Sequence, residues 1–184
     1  MVTLNPAPRT EFDAIIAEVA RWVARDADPV RTLTNVACLI GNQFRCDACS
    51  IYLQDPAGGD LLLAGTVGLR QECVGKISMR PDEGLTGLVA QTRRPLVVTS
   101  CASSHPRFRY FPDAGEDLYE SFLGTPIIQD QQLVGVLVLQ TFEEAAFSTT
   151  DLERMSAAGR LLGPHIATML DDALTQLNSG AADL

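Results

Sequence analysis

Two apolar, β-branched runs dominate the pattern of the chain, Phe122 to Ile128 and Leu133 to Leu139, separated by the polar Asp130, Gln131 and Gln132. Runs that are apolar at nearly every position predict central strands covered on both faces, and the polar break predicts a hairpin. Near the start, Phe12, Ile15, Ile16, Val19, Trp22 and Val23 recur at helical spacing and predict an amphipathic first helix that ends at Asp28-Pro29. Val30, Leu33, Ala37, Ile40 and Phe44 give a second apolar stripe and a second helix. Ala48 to Leu53 reads as a strand with Ser50 and Tyr52 on one face and Cys49, Ile51 and Leu53 on the other. The turn residues Asp55 to Gly59 then bring Asp60 to Val67 back as its antiparallel partner.

Ile77 to Met79 reads as a short edge strand, and Asp82 is placed to cap a short helix from Gly84 to Thr92. The two glycines of that helix predict close backbone approach to a neighbour. Pro95 stops it, and Leu96 to Thr99 is strand-like again. Ser100 to Glu120 lacks periodicity and is long for a connection in a compact domain, which points to a binding loop or a disordered one, and its aromatic and arginine residues in HPRFRYFP favour the first. After the hairpin, Ser148 and Asp151 form a helix-start signature with Phe147 set to staple onto Leu152. Met155, Leu162, Ile166, Met169, Ala173 and Leu177 line one side of the helix that follows, and Gly163-Pro164 predicts a kink in it. Helices, hairpin, short strand and helix, long loop, hairpin, helix is not the alternation of a doubly wound sheet. The order predicts an α+β fold with an antiparallel sheet.

Composition narrows the function. The 184 residues suit one domain, and a formal charge of −9 supplies no basic surface for nucleic acid or an anionic membrane. No apolar run approaches the length that spans a bilayer, and the N-terminus lacks the pattern of a signal peptide, so the expectation is a cytoplasmic protein. Five scattered cysteines read as thiols. Cys46-x-x-Cys49 has no second pair, and His105 and His165 stand in unrelated contexts, so no metal site is assigned. No Ser-His-Asp set, paired-carboxylate motif or phosphate loop occurs.

The segments ACSIYLQD, EGLTGLVAQTRRPLVV, HPRFRYFP and SFLGTPIIQDQQLVGVLVLQTFE, followed by FSTTDLE, stand in an order that resembles a GAF domain. The likeness is strongest to the GAF domains of nitrogen-related phosphoenolpyruvate-protein phosphotransferases and of nitrogen-fixation activators. It implies residues 30–170 as the domain, with 1–29 as leader and first helix and 171–184 as the end of a signalling or dimer helix. It implies a GAF/PAS-like antiparallel sheet of five or six strands, with the terminal helices on one face and the short helix and long loop over the other. Between sheet and loop it implies a pocket for a small regulatory ligand, with no cofactor and no metal. The terminal helices would pair two copies and carry the signal of a bacterial transduction or phosphotransfer regulator.

The expected ligand-binding residues follow partly from alternation and partly from this likeness. Ser50 and Tyr52 share a face, and Ser50 stands where cyclic-nucleotide-binding members use a serine. Thr66, Leu85 and Thr86 resemble wall positions. Arg107 and Arg109 could clamp an anion, with Phe108, Tyr110 and Phe111 closing over it, or could be solvated while the aromatics anchor the loop. Ser121 and Thr125 complete the set. Val138 replaces the acidic residue of the cyclic-nucleotide members, and the Asp-Ile-Pro motif of the bilin-binding members is missing. A free methionine sulfoxide reductase would need a cysteine in the block where Thr86 stands. That thiol enzyme and a ligand-free dimerisation module are the alternatives to a metabolite sensor.

Overall fold

The strand-like runs pair as their alternation requires. In the computed structural model, which describes residues 11–23, 28–57, 59–115, 118–144 and 146–181, they form one six-stranded sheet. The strands are β1 (Ala48–Gln54), β2 (Leu61–Val67), β3 (Ser78–Met79), β4 (Leu96–Val98), β5 (Ser121–Gln129) and β6 (Gln132–Thr141). Their order is β3-β2-β1-β6-β5-β4, and every neighbouring pair is antiparallel. The long hairpin β5-β6 lies inside the sheet, and its residues from Ser121 to Ile127 and from Leu133 to Thr141 are buried, as continuous apolar runs demand.

Three helices cover one face: α1 (Glu11–Val23), α2 (Pro29–Phe44) and α4 (Thr149–Ala181). Phe12, Ile16 and Val19 from α1 and Met155, Leu162, Ile166, Met169, Ala173 and Leu177 from α4 are buried in the same core as Ile51, Leu53, Leu123, Ile127, Leu137 and Leu139 of the sheet. The described stripe residues named above are therefore consumed within one chain. Where the three helices meet, the Arg154 guanidinium lies 4.4 Å from the Phe12 ring centre and 4.8 Å from that of Phe44, and the two rings meet edge to face at 5.4 Å. The leader 1–10, the tail 182–184 and the side chains of Trp22 and Val23 lie outside the described residues.

Local chemistry sets the boundaries, with one departure from the expected pattern. Asp28-Pro29 opens α2: Asp28 is its N-cap, accepting the Arg31 N–H at 3.0 Å, and Pro29 fits the first turn because its missing donor has no partner there. Asp82 does not cap α3 (Gly84–Thr92); Glu83 is the cap residue, while the Asp82 carboxylate accepts from Arg80 Nε at 3.2 Å. Helix α4 starts as its sequence predicts, with Ser148 and Asp151 exchanging bonds from backbone N–H to side-chain oxygen at 2.9 and 3.2 Å. It then runs unbroken through Pro164. Gly163 serves contact there: a Cβ on it would lie 2.2 Å from the Ile128 carbonyl oxygen, and one on Gly159 would lie 2.6 Å from that of Pro126. Backbone meets backbone along this line, which only glycine permits.

Candidate functional site

The second face of the sheet carries its own core. Tyr52, Leu61, Leu63, Phe122, Leu133, Val136 and Val138 pack there against Leu85, Val89 and Ala90 of α3. The segment between β4 and β5 completes the cover. Two short helical turns, Ala102–Ser104 and Pro112–Ala114, bury Ala102 and Ala114, and the backbone bonds Ala102 N–H to Glu120 O (3.0 Å) and Arg70 N–H to Ala114 O (2.8 Å) pin both ends. The described parts of the loop are held by these turns and bonds of their own.

Between the sheet, the start of α3 and this loop lies a narrow pocket of about 20 Å³, room for about one water, so the loop must move to admit anything larger. Tyr52, Leu85, Thr86, Phe108 and Arg109 line it, as the sequence singles out. Met79, Gly84, Phe111, Phe122 and Gln140 line it too. Gln140 had a legible signal, since it continues the parity of Val136 and Val138 on the pocket side of β6; the register sets Val138 opposite Ser50.

The remaining expected residues stand elsewhere. Ser50 and Thr66 face each other across β1 and β2, and their hydroxyls bond at 2.8 Å, with Thr66 also donating to the Cys49 carbonyl at 3.2 Å. Gln71 Nε2 donates to the Thr66 carbonyl at 2.7 Å, so this polar pair is closed beneath the connector after β2. The Ser121 hydroxyl lies within hydrogen-bond reach of the carbonyls of Thr99 (2.9 Å) and Glu143 (2.6 Å), and its single proton serves one of them at a time at the end of β5. Thr125 shares its parity with Leu123 and Ile127, and its methyl would meet a Cβ on Gly159 at 3.4 Å, so it belongs to the helix side of the sheet. Arg107 and Tyr110 border an open groove outside the pocket.

The loop is tied to the first turn of α3 through both arginines. Arg107 Nη2 donates to the Asp82 carbonyl at 2.6 Å, and Arg109 forms an ion pair with Glu83 while stacking over Phe111 at 4.9 Å. Gly84, with φ of +71°, lets this approach happen, since a Cβ there would lie 3.3 Å from that of Arg109. Glu83 gives no side-chain bond to the helix it caps. The Thr86 hydroxyl is 8% exposed as part of its residue and has no hydrogen-bond partner among the described residues. Among those residues no sealed polar side-chain atom lacks a partner, so the Thr86 oxygen opens into the pocket that the residue lines.

Thiols are absent from the pocket walls. Cys49 lies in the helix-side core, where burial above all raises its pKa, and burial likewise pushes Cys46 up to about 12. Cys73 lies on the other side of the sheet and donates to the Asp113 carbonyl at 3.1 Å, whereas Cys101 is exposed; all five are free. Among the described residues, Cys101, Glu120 and Glu144 have ligand atoms within 4.8 Å of one another, and Glu120 already accepts the Cys101 N–H at 2.9 Å.

Residues 28–166 match the family model of the GAF domain. This chain belongs to the GAF family. The phosphoenolpyruvate-dependent phosphotransferase system protein of Escherichia coli is 37% identical over 87 residues, covering 47% of this chain and 12% of that protein. The Nif-specific regulatory protein of Azospirillum lipoferum is 29% identical over 165 residues, covering 83% of this chain and 26% of that protein. The chain thus spans about an eighth and about a quarter of the lengths of these relatives. The GAF domain from a phosphoenolpyruvate-protein phosphotransferase of Coxiella burnetii matches with a TM-score of 0.77 at 29% identity, over 88% of this chain and 95% of that one. The free methionine-R-sulfoxide reductase of Neisseria meningitidis, solved with its substrate, has a TM-score of 0.68 at 21% identity over 96% of this chain and 99% of that one. At that identity the likeness is one of fold. Among the described residues, no helix is long and apolar enough to cross a membrane.

Proposed function

We propose that this GAF domain is a regulatory sensor that binds a small cytoplasmic metabolite in the pocket beneath the 100–120 loop and passes the change to α4. The observation that carries the reading is the Thr86 hydroxyl. That hydroxyl is unpaired within the chain and open to solvent at the wall of the pocket, so it is free to bond a ligand that enters when the loop moves. Tyr52 and Gln140 add two further neutral polar walls, and Arg109 stands at the mouth. The family relatives, a phosphotransferase-system protein and Nif-specific regulators, support a place in bacterial signal transduction or phosphotransfer regulation. A thiol reductase is disfavoured by walls that hold no cysteine. A homodimer through the terminal helices would have to use their outer faces, because the described stripe residues lie in the chain's own core.

A thermal-shift screen against glutamine, 2-oxoglutarate, nucleotides, cyclic nucleotides and methionine sulfoxide tests the reading. A ligand at a hundred times its Kd stabilises by about 2.7 kcal/mol, or about 5–10 °C for a domain of this size. The shift should vanish in Thr86→Val and weaken in Arg109→Ala. A screen with no saturable shift would remove the sensor and leave a dimerisation module.

A further inference from the structure

We propose that Glu83 sets the charge selectivity of the pocket by competing with the ligand's own anionic group for Arg109, an inference that rests on the ligand-binding reading above. Arg109 borders both the pocket and the outer groove, so its side chain stands where the two meet. Glu83 borders only the groove, and reaches Arg109 from the residue that caps α3. Its other carboxylate oxygen accepts the Arg80 N–H at 3.2 Å. Releasing Arg109 takes a rotation of the Glu83 side chain that also gives up the Arg80 N–H, while Phe111 still supports the guanidinium on its ring face at 4.9 Å.

The charges of the lining determine the class of ligand. Arg109 is the single charged side chain among the ten residues around the pocket, and the polar remainder, Tyr52, Thr86 and Gln140, is neutral. One anionic group can replace Glu83 on Arg109 and leave no charge buried without a counter-charge. A second anionic group would enter among neutral walls, where an ionised carboxylate without a partner is strongly disfavoured. A neutral ligand leaves the Arg109–Glu83 pair intact and gains nothing from it. The pocket therefore selects a small monoanion with an uncharged polar body. Because the two side chains are 42% and 25% exposed, the competition is partly screened, and its effects are modest.

Glutaramide, glutaramate and glutarate have similar lengths and carry no, one and two negative charges, so they isolate the charge. Thermal shifts with the three probes should rank glutaramate first on the wild-type protein. In Glu83→Gln, which keeps an acceptor for the Arg80 N–H, glutaramate should bind about two- to five-fold more tightly, with less dependence on salt. A ligand-free measurement accompanies this one: phenylglyoxal modification of Arg109, followed by peptide mass spectrometry, should accelerate about two- to five-fold in Glu83→Gln. Arg107, held by the Asp82 carbonyl, should react at an unchanged rate. An unchanged rate at Arg109 overturns the competition while leaving the sensor reading standing. Glutarate binding as tightly as glutaramate, or equal glutaramate affinity in the two proteins, overturns the selectivity. No shift with any probe also overturns it, and takes the sensor reading with it only if the wider metabolite screen is blank.

Discussion

Thr86 and Thr92 stand on one helix and differ in what their hydroxyls do. Thr92 donates to the Leu88 carbonyl one turn back at 2.7 Å, whereas Thr86 lies in the first turn and has no partner among the described residues. Valine has nearly the same shape, so Thr86→Val removes a hydroxyl that is open to solvent without opening a cavity, and should change stability by less than about 0.5 kcal/mol. An unchanged melting temperature together with a lost ligand response would identify a group that serves binding; a clearly lower one would mean the hydroxyl holds the fold together. His165 offers a pH readout. Burial, and secondarily the nearby Arg21, lowers its pKa below the ordinary 6.5. The folded chain takes this proton less readily than the unfolded chain. The associated stability is therefore complete above pH 6.5 and is lost as pH falls from there through the folded pKa. Between about pH 7.5 and 5.5 the urea midpoint should fall further for the wild type than for His165→Gln. Equal falls would remove His165 from the acid response.

Turns and helix contacts show where sequence pattern speaks and where it is silent. The β5-β6 turn is made by Asp130 and Gln131, both in the left-handed region with φ of 48° and 66°. That is the backbone of a two-residue hairpin, which usually recruits Asn-Gly. Nothing in Asp-Gln-Gln says which two residues turn, so the hairpin was legible and its tip was not. Gln131→Gly should stabilise by about 0.4–1 kcal/mol and raise the melting temperature by about 1–4 °C, since the native φ suits glycine. The Arg93 bond to the Gln131 carbonyl, 2.9 Å, uses backbone and survives the change. On α4, Gly163→Ala gains helix propensity yet places a methyl group against the Ile128 carbonyl. The clash is with backbone, so the net result should be a loss of about 1–3 kcal/mol, read as a lower denaturant midpoint. An unchanged midpoint would mean that helix and strand can part without cost.

The plan was readable because strand and helix periods differ: β1 follows from alternation, whereas β5 and β6 follow from continuous apolar runs with a polar break between them. The pocket was only half readable. Alternation places Tyr52 on the correct face, but it places Ser50 there too, and only the pairing of β1 with β2 reveals that Ser50 and Thr66 satisfy each other. Parity along β5 likewise assigns Thr125 to the helix side once Phe122 is known to face the pocket. Glu83 carries no periodic signal at all; its partner Arg109 is 26 positions away and meets it only through the loop's course.

Helix α4 rests on β5 through Gly159 and Gly163 with no side chain between them, while β5 supplies Phe122 to the pocket on its other surface. A side chain between two elements would absorb a displacement by changing rotamer; bare contact hands it on whole. Gln176 lies about 20 Å along the helix from Gly163, so a tilt of about 5° at that contact moves it by about 1.7 Å. The Gln176 side chain, which donates to Asp28 at 3.1 Å, would have to change rotamer to keep that bond, and in this way the cap of α2 would register what had happened at Phe122.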